Sequence, residues 1–226
     1  MKLKKIAASL MCADVLHLEK ELRRLEEAEC DLLHLDVMDG IFVDNMAMYP
    51  EMLENIRSQT SIPFDIHLAT ITPEKYVDMF SFLKPEYLSF HIETVKDPVA
   101  LIEKIKKQGI KPSIAINPET PLEMILPYIH YVNMVLVMTV HTGFSGQAFL
   151  KATLGKIEDL YNTLSIMEKP PLIEVDGNIN IETIQLMRKS MPDVFVLGTS
   201  ALFYNQDSTN YTQRINDIRQ SITTMR

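Results

Sequence analysis

In the stretch 31-DLLHLDVMDG-40 an imidazole and a carboxylate, His34 and Asp36, stand two residues apart inside an apolar run. Successive side chains on a strand point to opposite faces. His34 and Asp36 would therefore project side by side, with Leu33, Leu35 and Val37 on the other face. A buried carboxylate is costly unless it is paired, hydrogen-bonded or bound to a metal. From this stretch alone two readings stand: a hydrogen-bonded His/Asp pair at a strand end, or part of a ligand set. His67 and Asp176 would complete a set of two histidines and two aspartates. Imidazole with carboxylate suits one divalent ion of Zn, Fe, Mn or Co, and ligand type alone does not choose among them. The plainer alternatives are a core histidine for His67 and a turn residue for Asp176, which precedes Gly177. His17 and His130 fall in helical or loop contexts and receive no role.

Two carboxylates beside a metal point to a reaction class. When a ketone and its neighbouring hydroxyl ligate the ion, the carbon between them becomes acidic, because the metal stabilises the enediolate. One carboxylate removes the proton from one face and the other returns a proton to the opposite face, which yields an epimer. Three glycine-bearing segments come late in the chain: 143-GFSG-146, Gly177, and 198-GTS-200. Glycine lets backbone N–H groups approach an anion closely. A phosphate site there would make the substrate a sugar phosphate.

The elements that must hold these groups repeat eight times as a short apolar run, a polar break and a helix-period segment. Candidate strands are 5–10, 31–37, 63–69, 86–92, 112–117, 132–138, 171–176 and 193–198. Candidate helices lie near 14–28, 48–58, 73–83, 97–108, 121–127, 150–166, 181–190 and 208–222. Thr72-Pro73, Asp97-Pro98 and Thr120-Pro121 each place a capping residue before a proline suited to a first turn. Strict alternation implies a parallel sheet. Eight units of this size predict one α/β domain over residues 1–226, a (β/α)8 TIM barrel, with an open doubly wound sheet as runner-up. Polar residues end nearly every strand: Ser9, His34 with Asp36, His67, His91, Asn117, Asp176 and Gly198-Thr199-Ser200. A barrel gathers functional groups on one rim in this way, whereas an open sheet gathers them at a switch point.

The 226-residue chain has a formal net charge of −8, which argues against nucleic acid or anionic membrane as a general partner. Cys12 and Cys30 offer neither a disulfide framework nor a CxxC motif, which suits a reducing cytoplasm. The opening MKLKKIAASLMC imitates an export signal. Its apolar run, Ile6 to Met11, falls short of the roughly 7–15 residues such a signal needs, and is read as the first strand.

The stretches HLDVMDGIFV, DIHL, FHIE, NPETP, VMTV followed by GFSGQAF, EVDGNI and GTSALF carry a resemblance to the ribulose-phosphate 3-epimerase family along nearly the whole chain. The resemblance implies His34, Asp36, His67 and Asp176 as metal ligands, with Asp36 and Asp176 also serving as the acid/base pair. It implies Ser9 and His67 as substrate contacts, and Met38 and Met138 as an apolar cap. Gly143, Phe144, Ser145, Gly146, Gly177, Asn178, Gly198, Thr199 and Ser200 would form the phosphate cradle, and the chain would self-associate as a homo-oligomer. NPETP, HIET and GTSALF look closer to D-allulose-6-phosphate 3-epimerase than to the ribulose 5-phosphate branch. The expected substrate is therefore a hexulose phosphate, with D-ribulose 5-phosphate as the enzyme alternative. A sugar-phosphate binder without turnover is the alternative of another class; a metal-free decarboxylase would want a strand-end lysine, which HLDVMDG does not offer.

Four residues depart from the family pattern. His141-Thr142 replaces the usual acidic or Asn residue and proline before Gly143, suggesting a looser loop and a histidine within reach of substrate. Ala69 stands where a third capping methionine is usual, which suggests a larger ceiling. Asn178 replaces glycine or serine and could alter the phosphate loop.

Overall fold

The computed structural model describes residues 4–204 and 210–224. Eight parallel strands close on themselves: β1 (Lys5–Ser9), β2 (Leu32–Asp39), β4 (Phe64–Ala69), β5 (Tyr87–His91), β6 (Lys111–Ile116), β7 (Met134–Met138), β8 (Leu172–Asp176) and β9 (Val194–Leu197). The closure is β1 pairing with β2 on one side and β9 on the other. A two-residue strand, β3 (Met46–Ala47), folds back antiparallel on the end of β2. The architecture is a (β/α)8 barrel.

Helices cover the barrel's outside, so its strands are buried on both faces. β2 shows how one strand serves both. Leu33, Leu35 and Val37 belong to the outer core, together with Leu22 and Leu25 of α1 (Leu18–Glu27) and Leu53 and Ile56 of α2 (Pro50–Gln59). Leu32, on the alternate face, joins Ala7, Tyr87, Met134, Val194 and Val196 in a separate apolar cluster, with Leu172 packed against it. That cluster plugs the barrel's N-terminal end, so the polar residues further along the same inward face collect at the C-terminal end.

The remaining α-helices are α3 (Pro73–Phe80), α4 (Pro98–Lys107), α5 (Thr153–Ser165), α6 (Ile181–Leu186) and α7 (Tyr211–Thr224). The Asp97 carboxylate caps α4 by accepting from the Ala100 N–H at 3.0 Å, but the Thr72 side chain makes no such bond to α3. The expected helix at 121–127 is replaced by two 3-10 turns, Leu122–Met124 and Leu126–Tyr128. Pro127 lacks the N–H that an α-helix would need there and biases Leu126 away from helical geometry. Thr120 caps nothing; its hydroxyl donates instead to Glu93. The segment at 14–28 opens as a 3-10 turn capped by Asp14 before α1 begins at Leu18. α6 stops at Leu186 and continues only as turns, and the start of the 208–222 prediction lies outside the described residues. Among the described residues no helix is long and apolar enough to cross a membrane.

Candidate active site

The inward faces of β2, β4 and β8 bring His34, Asp36, His67 and Asp176 together, with one potential ligand atom from each lying within 4.8 Å of the others. Strand register does this: Asp36 pairs with His67 across β2 and β4, and Ser9 pairs with His34 across β1 and β2. His34 and His67 are fully buried, and Asp36 is nearly so. His34 Nε2 stands 3.5 Å from an Asp36 oxygen and 3.7 Å from an Asp176 oxygen, and it has no hydrogen-bond partner. A buried imidazole nitrogen left bare between two carboxylates fits a metal ligand better than a core histidine. The four residues have the donor types and spacing to hold a divalent cation.

The other nitrogen of His34 is engaged on the opposite side. Nδ1 lies 2.6 Å from Asp65 Oδ2 and 3.8 Å from Glu174 Oε1, so its proton faces a buried carboxylate. Such an outer partner fixes a ligand's tautomer and orientation. Asp65 and Glu174 had no place in the sequence reading. Their signal is that each sits two residues before a ligand, in DIH and EVD, and so on the same inward face. His91, named above only as a strand-end residue, is joined by Glu93, which the sequence reading missed: His91 Nε2 lies 2.9 Å from His67 Nε2, and His91 Nδ1 lies 3.1 Å from Glu93 Oε2.

The cluster's charges shift one another. Burial opposes the His34 imidazolium, yet the carboxylates of Asp36 and Asp65 lift its pKa well above the usual histidine value. Burial likewise opposes the Asp36 carboxylate, but His34 and the hydrogen bond from His67 bring it below the usual range. Asp176 goes the other way: burial and the charges of Asp36 and Asp65, only partly offset by His34, raise it to about 7. Burial pushes the Glu174 carboxyl well up, with the Asp65 charge acting in the same direction.

Above the cluster lies a cavity lined by Ser9, Asp36, Met38, Met138 and Asp176, and by the loops after β7, β8 and β9. All nine residues of the expected phosphate cradle, at 143–146, 177–178 and 198–200, line it. Met38 and Met138 present buried apolar walls. Ser9 Oγ donates to Asp36 Oδ2 at 3.1 Å. His34 and His67 do not line the cavity but sit below it. Thr139, buried at the end of β7, donates its hydroxyl to the backbone oxygens of Asp176 and Gly177 at 2.9 and 2.6 Å, fixing the end of β8.

The departures read differently in three dimensions. Ala69 does not enlarge the cavity: it is fully buried against Met38 and Val43, with Phe42 packed on the same cluster. Phe42 and Val43, from the loop after β2, pack in this cluster, and Ala69 does not line the cavity. The loop after β7 is tied rather than loose, with Thr142 Oγ1 donating to Asn117 Oδ1 at 2.6 Å and Asn45 Nδ2 to the Gly143 oxygen at 2.7 Å. His141 reaches the cavity edge, where Nδ1 lies 3.1 Å from Glu119. Asn178 adopts a left-handed backbone with φ +53° and donates its side-chain amide to the Gln147 oxygen at 2.7 Å, so that amide serves the neighbouring loop.

Comparison with known proteins agrees with this geometry. Residues 5–203 match the family described as the ribulose-phosphate 3 epimerase family. A ribulose-phosphate 3-epimerase of Helicobacter pylori is 37% identical over 218 residues, covering 96% of this chain and 99% of that protein. One from Methanocaldococcus jannaschii is 40% identical over 203 residues, covering 90% and 86%. Among solved structures, 3-hexulose-6-phosphate synthase from Salmonella typhimurium superimposes with a TM-score of 0.66 at 14% identity, covering 99% of this chain and 100% of that one, and so shares the fold. These relatives carry the ribulose-phosphate name, which moves the reading away from the hexulose branch that NPETP, HIET and GTSALF had suggested. The chain belongs to the ribulose-phosphate 3-epimerase family and is an isomerase of the epimerase class.

Proposed function

We propose that the protein is a D-ribulose-5-phosphate 3-epimerase working by two-carboxylate proton transfer at a divalent metal centre. The observation that carries this reading is the placement of Asp36 and Asp176, 3.5 and 3.7 Å from His34 Nε2, in the lining of one cavity. They come from β2 and β8, which β1 and β9 separate in the barrel, so they approach a substrate from different directions. A divalent ion held by His34, Asp36, His67 and Asp176 would supply a Lewis acid that polarises the substrate carbonyl.

The chain's own residues do the rest. Asp36, from β2, and Asp176, from β8, supply the two carboxylates, one to take the proton at C3 and the other to return a proton on the other face. Ser9 holds Asp36 by its hydroxyl and lies within the cavity to meet substrate. Met38 and Met138 cover the reacting carbons with apolar surface that offers no competing base. The loops at 143–146, 177–178 and 198–200 place the phosphate, chiefly by backbone, at the far end of the cavity.

Proton NMR in D₂O tests the reading, with Mn²⁺, Fe²⁺ or Zn²⁺ added and both D-ribulose 5-phosphate and D-allulose 6-phosphate present. Selective loss of the C3 hydrogen of the pentulose, with its C1 hydrogens retained, is the expected result. Faster exchange in the hexulose would move the assignment to that sugar. Exchange in neither would leave a sugar-phosphate binder on an epimerase scaffold.

A further inference from the structure

A sugar phosphate brings a dianion into a cavity whose side chains are short of positive charge. Asp36 and Asp176 are acidic, and neither lysine nor arginine appears among the described residues of the lining. The one lining side chain able to become a cation is His141. The lysine and the arginine that approach the same loops are committed elsewhere. Lys156 of α5 donates to the backbone oxygens of Asn117, Pro118 and Thr120 at 2.6–2.7 Å, and Arg214 of α7 donates to those of Leu202 and Tyr204. His141, by contrast, is held at the cavity edge. It stands two residues before Gly143, at the start of the loop that supplies four cradle residues. Its backbone oxygen accepts from the Gln147 side-chain amide at 2.6 Å, and the same amide donates to the Phe144 oxygen at 2.8 Å, which folds the loop on itself. The ring is held from outside by Glu119, on the turn after β6, whose Oε1 lies 3.1 Å from Nδ1. Nε2 is left as the ring's other polar edge.

We propose that His141 is a substrate-binding residue: its imidazolium, oriented by Glu119 through Nδ1, offers Nε2–H to the substrate phosphate and adds the charge that a backbone cradle does not carry. This inference rests on the sugar-phosphate reading given above. A carboxylate and a phosphate dianion both accept, so a ring between them serves both only with two N–H donors, that is, as the cation. A charged donor on a phosphate oxygen makes a stronger hydrogen bond than a neutral one. Glu119 thus orients the ring without competing for Nε2. Both side chains of the pair are more than half exposed, 62% and 65%, so little is lost if the ring turns to meet a second anion. Backbone N–H groups recognise the shape of the phosphate, and His141 answers its charge.

Three substitutions grade the charge at this one exposed position: His141→Lys keeps it, His141→Gln removes it and His141→Glu reverses it. Two readouts follow each variant in Mn²⁺-loaded protein at pH 7. One is calorimetric titration with inorganic sulfate, a dianion of phosphate's shape; the other is KM and kcat for D-ribulose 5-phosphate. His141→Gln should weaken sulfate binding and raise KM ~5–10-fold, somewhat less than a shielded charge-assisted hydrogen bond because the ring is exposed. His141→Glu should lose more than His141→Gln on both, and His141→Lys should recover most of the loss. In each variant kcat should fall less than KM rises, and Mn²⁺ affinity should stay as in wild type, because His141 is no part of the ligand cluster. Sulfate affinity and KM unchanged in His141→Gln would overturn the inference, as would a His141→Lys protein no better than His141→Gln. Absence of sulfate binding in wild type would overturn the phosphate cradle and the role of His141 with it. Sulfate binding without turnover of the pentulose would instead count against the epimerase reading, and the sulfate titrations would still decide on His141.

Discussion

The wall formed by β2, β4, β5 and β8 and the loops that follow β7, β8 and β9 face one cavity but are built on opposite terms. The wall is made of side chains on strands, buried and held by ladder register, with Asp65 behind one histidine and His91 behind another. The loops are made of backbone: Gly143, Gly146, Gly177 and Asn178 all have positive φ. Moving a proton requires charged groups in a fixed geometry and a shielded setting, where misplacement is costly. Holding a phosphate asks mainly for N–H groups that can come close. The contrast teaches that removing one wall atom should abolish chemistry, whereas adding a loop atom should chiefly disturb folding or substrate affinity.

The largest effect that would sharpen this contrast is on the carboxylates. Asp36→Asn and Asp176→Asn should each lower kcat by at least ~100-fold, the low end for a positioned acid or base. Near-wild-type turnover in either, measured by C3 hydrogen exchange, would break the two-carboxylate mechanism.

Next comes pH. In metal-free protein His34 tends to hold a proton, and Asp176 is raised to about 7. A cation must displace both protons, so Mn²⁺ affinity should climb as pH rises through 7. The stability sign follows from the same shift. With its folded pKa above the unfolded value of 3.8, Asp176 favours the folded state while protonated, and that contribution is lost as pH rises from 3.8 through 7. The rise in Tm on adding Mn²⁺ should therefore be greater at pH 8 than at pH 6, and calorimetry at the two values decides it.

Within the loops, two glycines at positive φ give a graded pair. At Gly177, φ +121°, an added Cβ would lie 2.6 Å from Val140 Cγ2 and 2.8 Å from the Val140 nitrogen. Gly177→Ala should cost about 1–3 kcal/mol of stability and raise KM, because the backbone itself must move. At Gly146, φ +79°, nothing lies within 4 Å. Gly146→Ala should cost about 1 kcal/mol, the backbone penalty alone. Equal losses in thermal denaturation would show that contact with Val140 adds nothing.

Period-2 arithmetic was enough to place His34 beside Asp36, because two side chains two residues apart on one strand share a face whatever the sheet does. Alternation along the chain was enough for the eight-fold barrel, since each strand needs a crossover before its parallel neighbour. Capping arithmetic failed at 120–127, where Pro127 and the pull of Glu93 on Thr120 outweighed a plausible helix start. Ala69 misled for a related reason: a small residue predicts space only when nothing else fills it, and here Val43 and Phe42 of another loop do.

The sequence by itself determined the barrel order and which donor side chains and glycines stand at the strand ends, because those follow from local chemistry and short-range period. Only the tertiary structure decided which ring edge of each histidine faces the cluster, Nε2 of His34 and Nδ1 of His67, because Asp65 and His91 on other strands lie against the opposite edges. Which way an imidazole faces is set by the partner across the gap, and a linear chain does not say who that partner is.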